Sequence, residues 1–261
     1  HEKPVEYDRL KEEFPDAHFA DLFGIIGIKN FESSNKADHS WKGRIVFGGH
    51  KIKDSAGLDV FFNELTSTPS TFQAERCILA AHCCNEGYTI QQSDCLKAYV
   101  QAELKGVDTF VRLPRDWWPP SWFDKDGNWL YKRPYVRLVK ALYGHPIAGE
   151  CWHQKFASAL NDLGFFEVEA WPSVFVNEDS GLAVIIYVDD MVALGPPADL
   201  KKFFGLLAKQ IKFDDPTDLS KYLGVHHVFT HDKASGERAY DLSMSDFIRS
   251  TVDVYVQKTG K

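Results

Sequence analysis

The sequence predicts an α+β fold in which helices lie against one face of an antiparallel sheet. The first observation is the segment LAVIIYVDDMVALG at residues 182–195, where two apolar runs flank two aspartates, as in a buried hairpin with a tight turn. The second is that residues 75–86, 151–163 and 200–211 carry apolar side chains at helical spacing. The third is that short β-favouring runs alternate with these stretches, which indicates one or two mixed domains.

Composition limits the functions that the chain can have. Of the 261 residues, 44% are hydrophobic, and the net charge is −7 with a pI near 5.8, which argues against indiscriminate binding of polyanions. The cations are nevertheless grouped, in one set formed by Lys42, Arg44, His50, Lys51 and Lys53 and another formed by Lys132, Arg133, Arg137 and Lys140.

Five cysteines without a regular spacing favour a reduced intracellular environment, and no apolar run is long enough to cross a bilayer. Because the first residue is His, we expect an excised piece of a longer chain, with a processed or trimmed chain as the alternative.

The stretch WKGRIVFGGHKIK at residues 41–53 predicts a basic strand followed by a glycine turn. Strand alternation places Lys42 and Arg44 on one face, where they can meet an anion together. The alternative interpretation is an edge strand whose charges prevent aggregation.

Asp94 stands at the end of a predicted strand, YTIQQSD, and directly before the helical segment CLKAYVQAEL. Asp is a common helix N-cap, although Lys97 provides no capping box. The functional alternative is a metal ligand that the strand end presents to the hairpin at residues 182–195.

Residues 110–120 read FVRLPRDWWPP and are rich in aromatic side chains and proline. Trp117, Trp118 and Trp122 are candidates either for stacking on a template strand or for a small aromatic core.

Asp189 and Asp190 separate the two apolar runs of the predicted hairpin. One interpretation is a solvated turn. The other is a magnesium site, since adjacent carboxylates at the edge of a core are costly without a cation and Mg²⁺ prefers oxygen ligands.

Beyond the hairpin, residues 200–211 predict a helix, residues 212–218 a loop, and TyrLeuGly at 222–224 the start of another hairpin.

These motifs, in this order, resemble the reverse transcriptases of copia-type LTR retrotransposons. The matching runs are LysGlyArgIleVal at 42–46, AspCysLeuLysAlaTyr at 94–99, LeuTyrGly at 142–144, TyrValAspAsp at 187–190 and TyrLeuGly at 222–224. The resemblance covers roughly residues 40 to 250. It implies a right-hand polymerase fold with fingers at 1–70 and 105–147, palm at 71–104 and 148–230, and the start of a thumb or connection at 231–261, the thumb being largely missing.

The resemblance also implies the site. Catalytic and metal-binding roles fall to Asp94, Asp189 and Asp190, with two Mg²⁺ ions, or Mn²⁺ as a substitute. Nucleotide binding falls to Lys42, Arg44, Tyr99, Tyr143 and Gly144, and primer binding to Tyr222, Leu223 and Gly224. Tyr99 has the alternative role of a core aromatic residue on an amphipathic helix.

The implied activity is RNA-directed DNA synthesis on an RNA or DNA template with a primer and dNTPs. The implied partners are the integrase and ribonuclease H segments of a parent polyprotein, without a membrane, in the cytoplasm (virus-like particle) or the nucleus. Two alternatives stay open: a catalytically silent nucleic-acid-binding module derived from such a polymerase, which the acidic net charge favours, and another palm-type nucleotidyl enzyme such as a cyclase.

Overall fold

The computed structural model describes residues 3–29, 36–62 and 69–260. Within these ranges the chain is mixed α/β, and none of its helices has the length and apolar character that a membrane span requires. The helices are α1 (Tyr7–Glu13), α2 (Phe72–Cys84), α3 (Ala98–Gln101), α4 (Ala148–Asn161), α5 (Pro197–Leu207) and α6 (Ser245–Thr259). The strands are β1 (Val5–Glu6), β2 (His18–Lys29), β3 (Ser40–Phe47), β4 (Thr89–Asp94), β5 (Thr109–Arg112), β6 (Pro134–Arg137), β7 (Phe166–Glu167), β8 (Val174–Asn177), β9 (Leu182–Tyr187), β10 (Asp190–Gly195), β11 (Thr217–Asp218), β12 (Lys221–Tyr222), β13 (Val225–His231) and β14 (Arg238–Ser243).

The chain divides into two compact units that alternate along the sequence. The first unit comprises His1–Gly27, Lys42–Ser67 and Tyr99–Trp152, and the second comprises Ile28–Trp41, Thr68–Ala98 and His153–Lys261. The sequence prediction also has two interleaved bodies, but the assignment of its segments to fingers, palm and thumb stays a prediction.

The second unit is built on a six-stranded sheet in the order β11-β4-β10-β9-β8-β7, in which every pair is antiparallel. The apolar runs predicted as a buried hairpin form its centre, β9 and β10. Val184, Ile185, Met191 and Ala193 on these strands are fully buried. The hairpin is therefore anchored in the core, as its composition predicts.

Helices cover both faces of this sheet, so the expectation of helices on one face is wrong. On one face, Ile78 of α2 packs in a buried cluster with Val174 of β8 and Val192 of β10. On the other face, the ring of Phe156 of α4 lies 6.3 Å from the ring of Phe175 of β8. Val174 and Phe175 are consecutive residues of β8 and therefore point to opposite faces of the sheet. An interior strand that is apolar on both faces has to be covered by other elements on both sides.

The first unit contains a five-stranded sheet in the order β1-β6-β5-β2-β3. Its β2–β5 pair is parallel, whereas β5–β6 and β1–β6 are antiparallel. Four aromatic residues, Tyr7, Phe19, Phe110 and Tyr135, form a buried cluster at the β1 end. This sheet is therefore mixed, which differs from the antiparallel expectation.

A three-stranded sheet, β12-β13-β14, completes the second unit. It is joined to α2 by a buried hydrogen bond, in which Nε2 of His227 lies 2.6 Å from Oε1 of Glu75. Tyr240 of β14 also makes a hydrogen bond of 2.8 Å between its hydroxyl and Nδ1 of His82. These two polar contacts, the first of them with both partners buried, orient the small sheet on the helix.

Candidate active site

The two aspartates of the central hairpin lie at its tip. Tyr187 of β9 pairs with Asp190 of β10, so Val188 and Asp189 form a two-residue loop. Val188 has φ of 57°, and a positive φ at the first loop position matches a type II′ turn, where glycine is usual. For a β-branched residue this conformation is strained, and such strain is concentrated at functional sites. The hairpin fold thus fixes where Asp189 and Asp190 leave the sheet.

Asp94 lies opposite the hairpin on the neighbouring strand. The register of β4 and β10 pairs Asp94 directly with Asp190. The backbone N–H of Cys95 donates to the carbonyl oxygen of Asp189 at 2.7 Å, which continues the pairing past the strand end. The structure therefore brings the three aspartates predicted from the motifs together at one end of the sheet.

The interpretation of Asp94 as a helix N-cap is wrong. The predicted helix at 95–104 is reduced to α3, which begins only at Ala98. The N–H of Leu96 donates to the carbonyl of Lys212, and Lys97 has φ of 51°, outside the helical region. Cys95 thus forms a β-bridge with Phe213, Leu96 and Lys97 form a turn, and Asp94 ends β4 before α3 begins at Ala98.

Burial and like charges disfavour the ionised form of Asp190. Its pKa is raised from 3.8 to about 6, first by burial and then by the charges of Asp189 and Asp94. The same three carboxylates, after burial, also raise the pKa of the Cys95 thiol. The field at this end of the sheet is therefore strongly negative and favours a cation.

The chemistry of these side chains fits a divalent metal ion. Carboxylate oxygens are the ligands that Mg²⁺ prefers, and a cation would relieve the repulsion that raises the pKa of Asp190. Within the described part of the chain, however, no three acidic, His or Cys side chains converge closely enough to form a ready-made metal site. The side chains thus supply oxygen ligands of the kind that a divalent ion takes, without forming a preformed cluster.

A cleft of about 260 Å³ opens beside Asp94 and Asp190. The segment predicted as a loop at 212–218 forms one wall, because β11 pairs with β4. Asp214 and Asp215 line the cleft, and the N–H of Asp214 donates to the carbonyl of Asp94 at 2.9 Å. Sequence reasoning missed these two acids, although the AspAsp at 214–215 repeats the pattern of the hairpin pair.

Lys42 and Arg44 both lie on β3 and are exposed. Strand alternation gives them the same face, as predicted. They belong to the first unit, whereas the three aspartates belong to the second. Their role toward a nucleotide stays a prediction.

Tyr99 and Tyr143 lie together in the first unit, with ring centroids 4.5 Å apart in an edge-to-face arrangement. Tyr99 also packs against a buried cluster that includes Ala102 and Ala141. Both tyrosines are half-buried. The pair therefore combines the core role, which was the alternative for Tyr99, with a partly accessible aromatic surface.

Gly144 is explained by close backbone packing. It has φ of 88°, and a Cβ at this position would lie 2.3 Å from the carbonyl oxygen of Phe47. The N–H of Phe47 also donates to the carbonyl of Tyr143 at 2.8 Å. No side chain fits between these backbones, so the glycine of the LeuTyrGly motif shapes the fold at this point.

His145, which directly follows the LeuTyrGly motif, is buried beneath Phe47, with ring centroids 4.6 Å apart. Burial, and then the charge of His18, lower its pKa to about 4. It is therefore a neutral core residue near neutral pH and is not available to a template.

The predicted primer-binding residues Tyr222, Leu223 and Gly224 form the start of a hairpin, as expected. Tyr222 pairs with Val225, and the two loop residues have φ of 46° and 82°, the pattern of a type I′ turn. Tyr222 is buried in the cluster between α2 and the central sheet, although it reaches the cleft beside Asp190. Leu223 and Gly224 are more exposed.

A family model described as reverse transcriptase (RNA-dependent DNA polymerase) matches residues 26–258. The chain belongs to this reverse transcriptase family. The resemblance inferred from the motifs is thereby confirmed at the level of the family.

Two curated relatives of the reverse transcriptase chain are the Retrovirus-related Pol polyproteins from transposons RE1 and RE2 of Arabidopsis thaliana. Each is 28% identical over 205 residues, which cover 77% of this chain and 13% of the relative. The chain thus spans a small part of the relatives that it matches. A solved structure of telomerase from Candida albicans, in complex with a fragment of telomeric RNA, gives a TM-score of 0.41 with 9% identity and covers 81% of this chain and 44% of that chain.

Proposed function

We propose that this chain is the catalytic core of an RNA-directed DNA polymerase, which transfers a nucleotide from a dNTP to a primer 3′-hydroxyl. The observation that carries the proposal is the register that pairs Asp94 with Asp190, next to Asp189 in the hairpin loop. Membership of the reverse transcriptase family supports it. The second unit would then act as the palm and the first as the fingers.

Asp94, Asp189 and Asp190 would hold two Mg²⁺ ions at the end of the central sheet. When bound, the ions lower the pKa of the primer hydroxyl and neutralise the departing pyrophosphate. The protein's part is positional: the β4–β10 ladder fixes Asp94 and Asp190, and the strained loop fixes Asp189. Such preorganisation lowers the cost of placing the reacting groups.

Lys42 and Arg44 would offset the charge of the triphosphate, since Arg offers a planar fork to phosphate oxygens. The exposed part of Tyr99 and Tyr143 would contact the nucleotide. Leu223 and Gly224 would contact the primer end, with Tyr222 as the buried anchor of that hairpin. Gly144 would act indirectly, by keeping Tyr143 close to β3.

Partners and location belong to the same proposal. We expect a template and primer, and polyprotein segments with integrase and ribonuclease H activity, in the cytoplasm within a virus-like particle or in the nucleus. The relatives' names, which describe Pol polyproteins from transposons, support the part of this expectation that concerns a parent polyprotein.

Primer extension on an RNA template with Mg²⁺ or Mn²⁺ tests the proposal. Wild type should extend the primer, and Asp189→Asn should lose extension while nucleic-acid binding stays matched. Asp179→Asn is the control, because Asp179 is an exposed aspartate in the turn between β8 and β9, and it should keep wild-type activity.

Other outcomes separate the alternatives. A wild-type chain that binds nucleic acid but does not extend it, even with a thumb segment added, would establish the silent binding module. Turnover of a nucleoside triphosphate without primer or template would indicate a cyclase-type enzyme instead.

A further inference from the structure

A cationic cleft of about 260 Å³ lies within the first unit, between residues 112–118 and 132–134. Its basic side chains are Arg112, Arg115, Lys132 and Arg133, in a chain whose net charge is −7. Along the sequence only Lys132 and Arg133 belong to a group of cations, because Arg112 and Arg115 lie in the tryptophan-rich segment. The fold brings the cations of these two sequence segments together in one cleft.

The four cations are not equivalent. Nε and Nη2 of Arg112 each donate to a carboxylate oxygen of Asp21 at 2.8 Å. This bidentate pair neutralises Arg112 and raises its pKa. Arg112 therefore serves as a wall of the cleft and contributes little net charge to it.

Arg115 and Arg133 are held by aromatic rings. The Cζ of Arg115 lies 3.8 Å from the ring centroid of Trp129, and the Cζ of Arg133 lies 3.8 Å from that of Tyr7. Stacking orients a guanidinium group without cancelling its charge. Within residues 3–29, 36–62 and 69–260, neither arginine forms an ion pair with a carboxylate.

Lys132 likewise lacks a carboxylate partner among the ion pairs of the described residues. An opposing charge comes from Glu6, whose two carboxylate oxygens accept the backbone N–H groups of Lys132 and Arg133 at 2.7 and 2.9 Å. Even with Glu6 counted, the three remaining cations leave the cleft positive. The Glu6 contacts also fix the backbone from which two of those cations project.

Trp118 lines the cleft as well, and its own contacts hold it in place. Trp118 is buried, its ring N–H donates to the carbonyl of Leu113 at 3.2 Å, and its ring packs 5.4 Å from that of Trp122. These two tryptophans form the aromatic core that was one of the sequence interpretations. Trp129, which stacks on Arg115, is 52% exposed, so aromatic surface also remains accessible beside the cations.

We propose that this cleft binds the phosphate backbone of single-stranded nucleic acid, with Trp129 as a stacking surface for a base. Cationic grooves with neighbouring exposed aromatic rings are the usual means of binding single strands without sequence preference. Two stacked arginines and a lysine suit phosphate oxygens. This contact goes beyond polymerisation, because it requires neither the three aspartates nor a metal ion.

The test is the binding of a fluorescent 20-nucleotide oligo(U) or oligo(dT), measured by anisotropy in EDTA over a range of salt concentrations. The double variant Arg115→Gln/Lys132→Gln should weaken binding about tenfold and reduce the slope of log K against log salt by about 1.4, the value for two lost phosphate contacts with a single strand. Lys3→Gln/Arg9→Gln is the control with the same change in charge and should bind as wild type.

Circular dichroism and a melting curve would show that both double variants fold. Wild-type affinity in the cleft variant would overturn the proposal, as would tighter binding of a glutamate-rich peptide than of the oligonucleotide, which would make the cleft a site for an acidic protein. Asp189→Asn should bind as wild type in EDTA. If neither the wild type nor any variant extends a primer, but only the cleft variant loses binding, the proposed polymerase function is rejected and the proposed binding cleft is retained.

Discussion

Asp190 lies directly opposite Asp94 across the antiparallel strands β10 and β4, so two carboxylates that are 96 positions apart in sequence become cross-strand neighbours. Like charges in this position destabilise a sheet. The arrangement is costly in the absence of a cation, and its cost can be measured.

We predict that Asp190→Asn stabilises the metal-free protein at pH 8 by about 1 kcal/mol, a value reduced for solvent screening. The pKa of Asp190 is raised from 3.8 to about 6. The contribution of Asp190 to the stability of the wild type is therefore most favourable below pH 4 and becomes less favourable as the pH rises through 6. Urea denaturation in EDTA at pH 5 and pH 8 measures the difference, which should be larger at pH 8.

Magnesium should make the wild type more stable than Asp190→Asn, because it should stabilise the wild type and not the variant. Asp179→Asn, in an exposed turn of the same sheet, serves as the control and should change neither the pH dependence nor the response to Mg²⁺. Equal stability of wild type and Asp190→Asn at pH 8 would contradict the prediction.

The hairpin loop gives a second prediction. Val188 has φ of 57°, so Val188→Gly should stabilise the protein by about 1 kcal/mol by relieving backbone strain. Thermal unfolding measures this change. The same substitution at Val107, an exposed residue without a positive φ, should be neutral or destabilising; stabilisation at both sites would rule out strain as the cause.

The close backbone packing at Gly144 gives a third prediction. Gly144→Ala should destabilise the first unit by about 2–4 kcal/mol, because the added Cβ meets the carbonyl oxygen of Phe47 at 2.3 Å and φ is 88°. Gly43→Ala is a matched control on β3, since a Cβ there meets nothing within 4 Å. Chemical denaturation should show a large loss only for Gly144→Ala, and similar effects for the two variants would contradict the packing argument.

His145 gives a fourth. Its pKa is lowered from 6.5 to about 4, so the unfolded chain binds a proton that the folded chain does not between these values. The free energy of unfolding therefore carries no penalty from His145 above pH 6.5, and it falls by up to about 3 kcal/mol as the pH drops toward 4. His145→Phe should flatten this acid limb of the stability curve, measured by denaturation at pH 7.5, 6 and 5. An unchanged acid limb would show that His145 is not the group responsible.

Much of the candidate site was predictable because it depends on local sequence. The apolar runs around Asp189 and Asp190 favour a buried hairpin whatever surrounds it, and TyrLeuGly at 222–224 forms the predicted turn, with Gly224 at one of its two positions of positive φ. The Asp94 strand was also predicted, because alternation is a local property. The helix after Asp94 was predicted too long, since helical spacing does not show that the N–H groups of Cys95 and Leu96 bond to distant carbonyls.

The sequence by itself determined the family and the hairpin and predicted a site at Asp94, Asp189 and Asp190, because motif order and hydrophobic pattern are local features of the chain. Only the tertiary structure decided which residues face one another: the Asp94–Asp190 register, the Asp214 and Asp215 wall, the buried His145, and the cleft that joins Arg115 to Lys132. The physical reason is that pairing and burial depend on contacts between segments far apart in sequence, which local propensity does not encode.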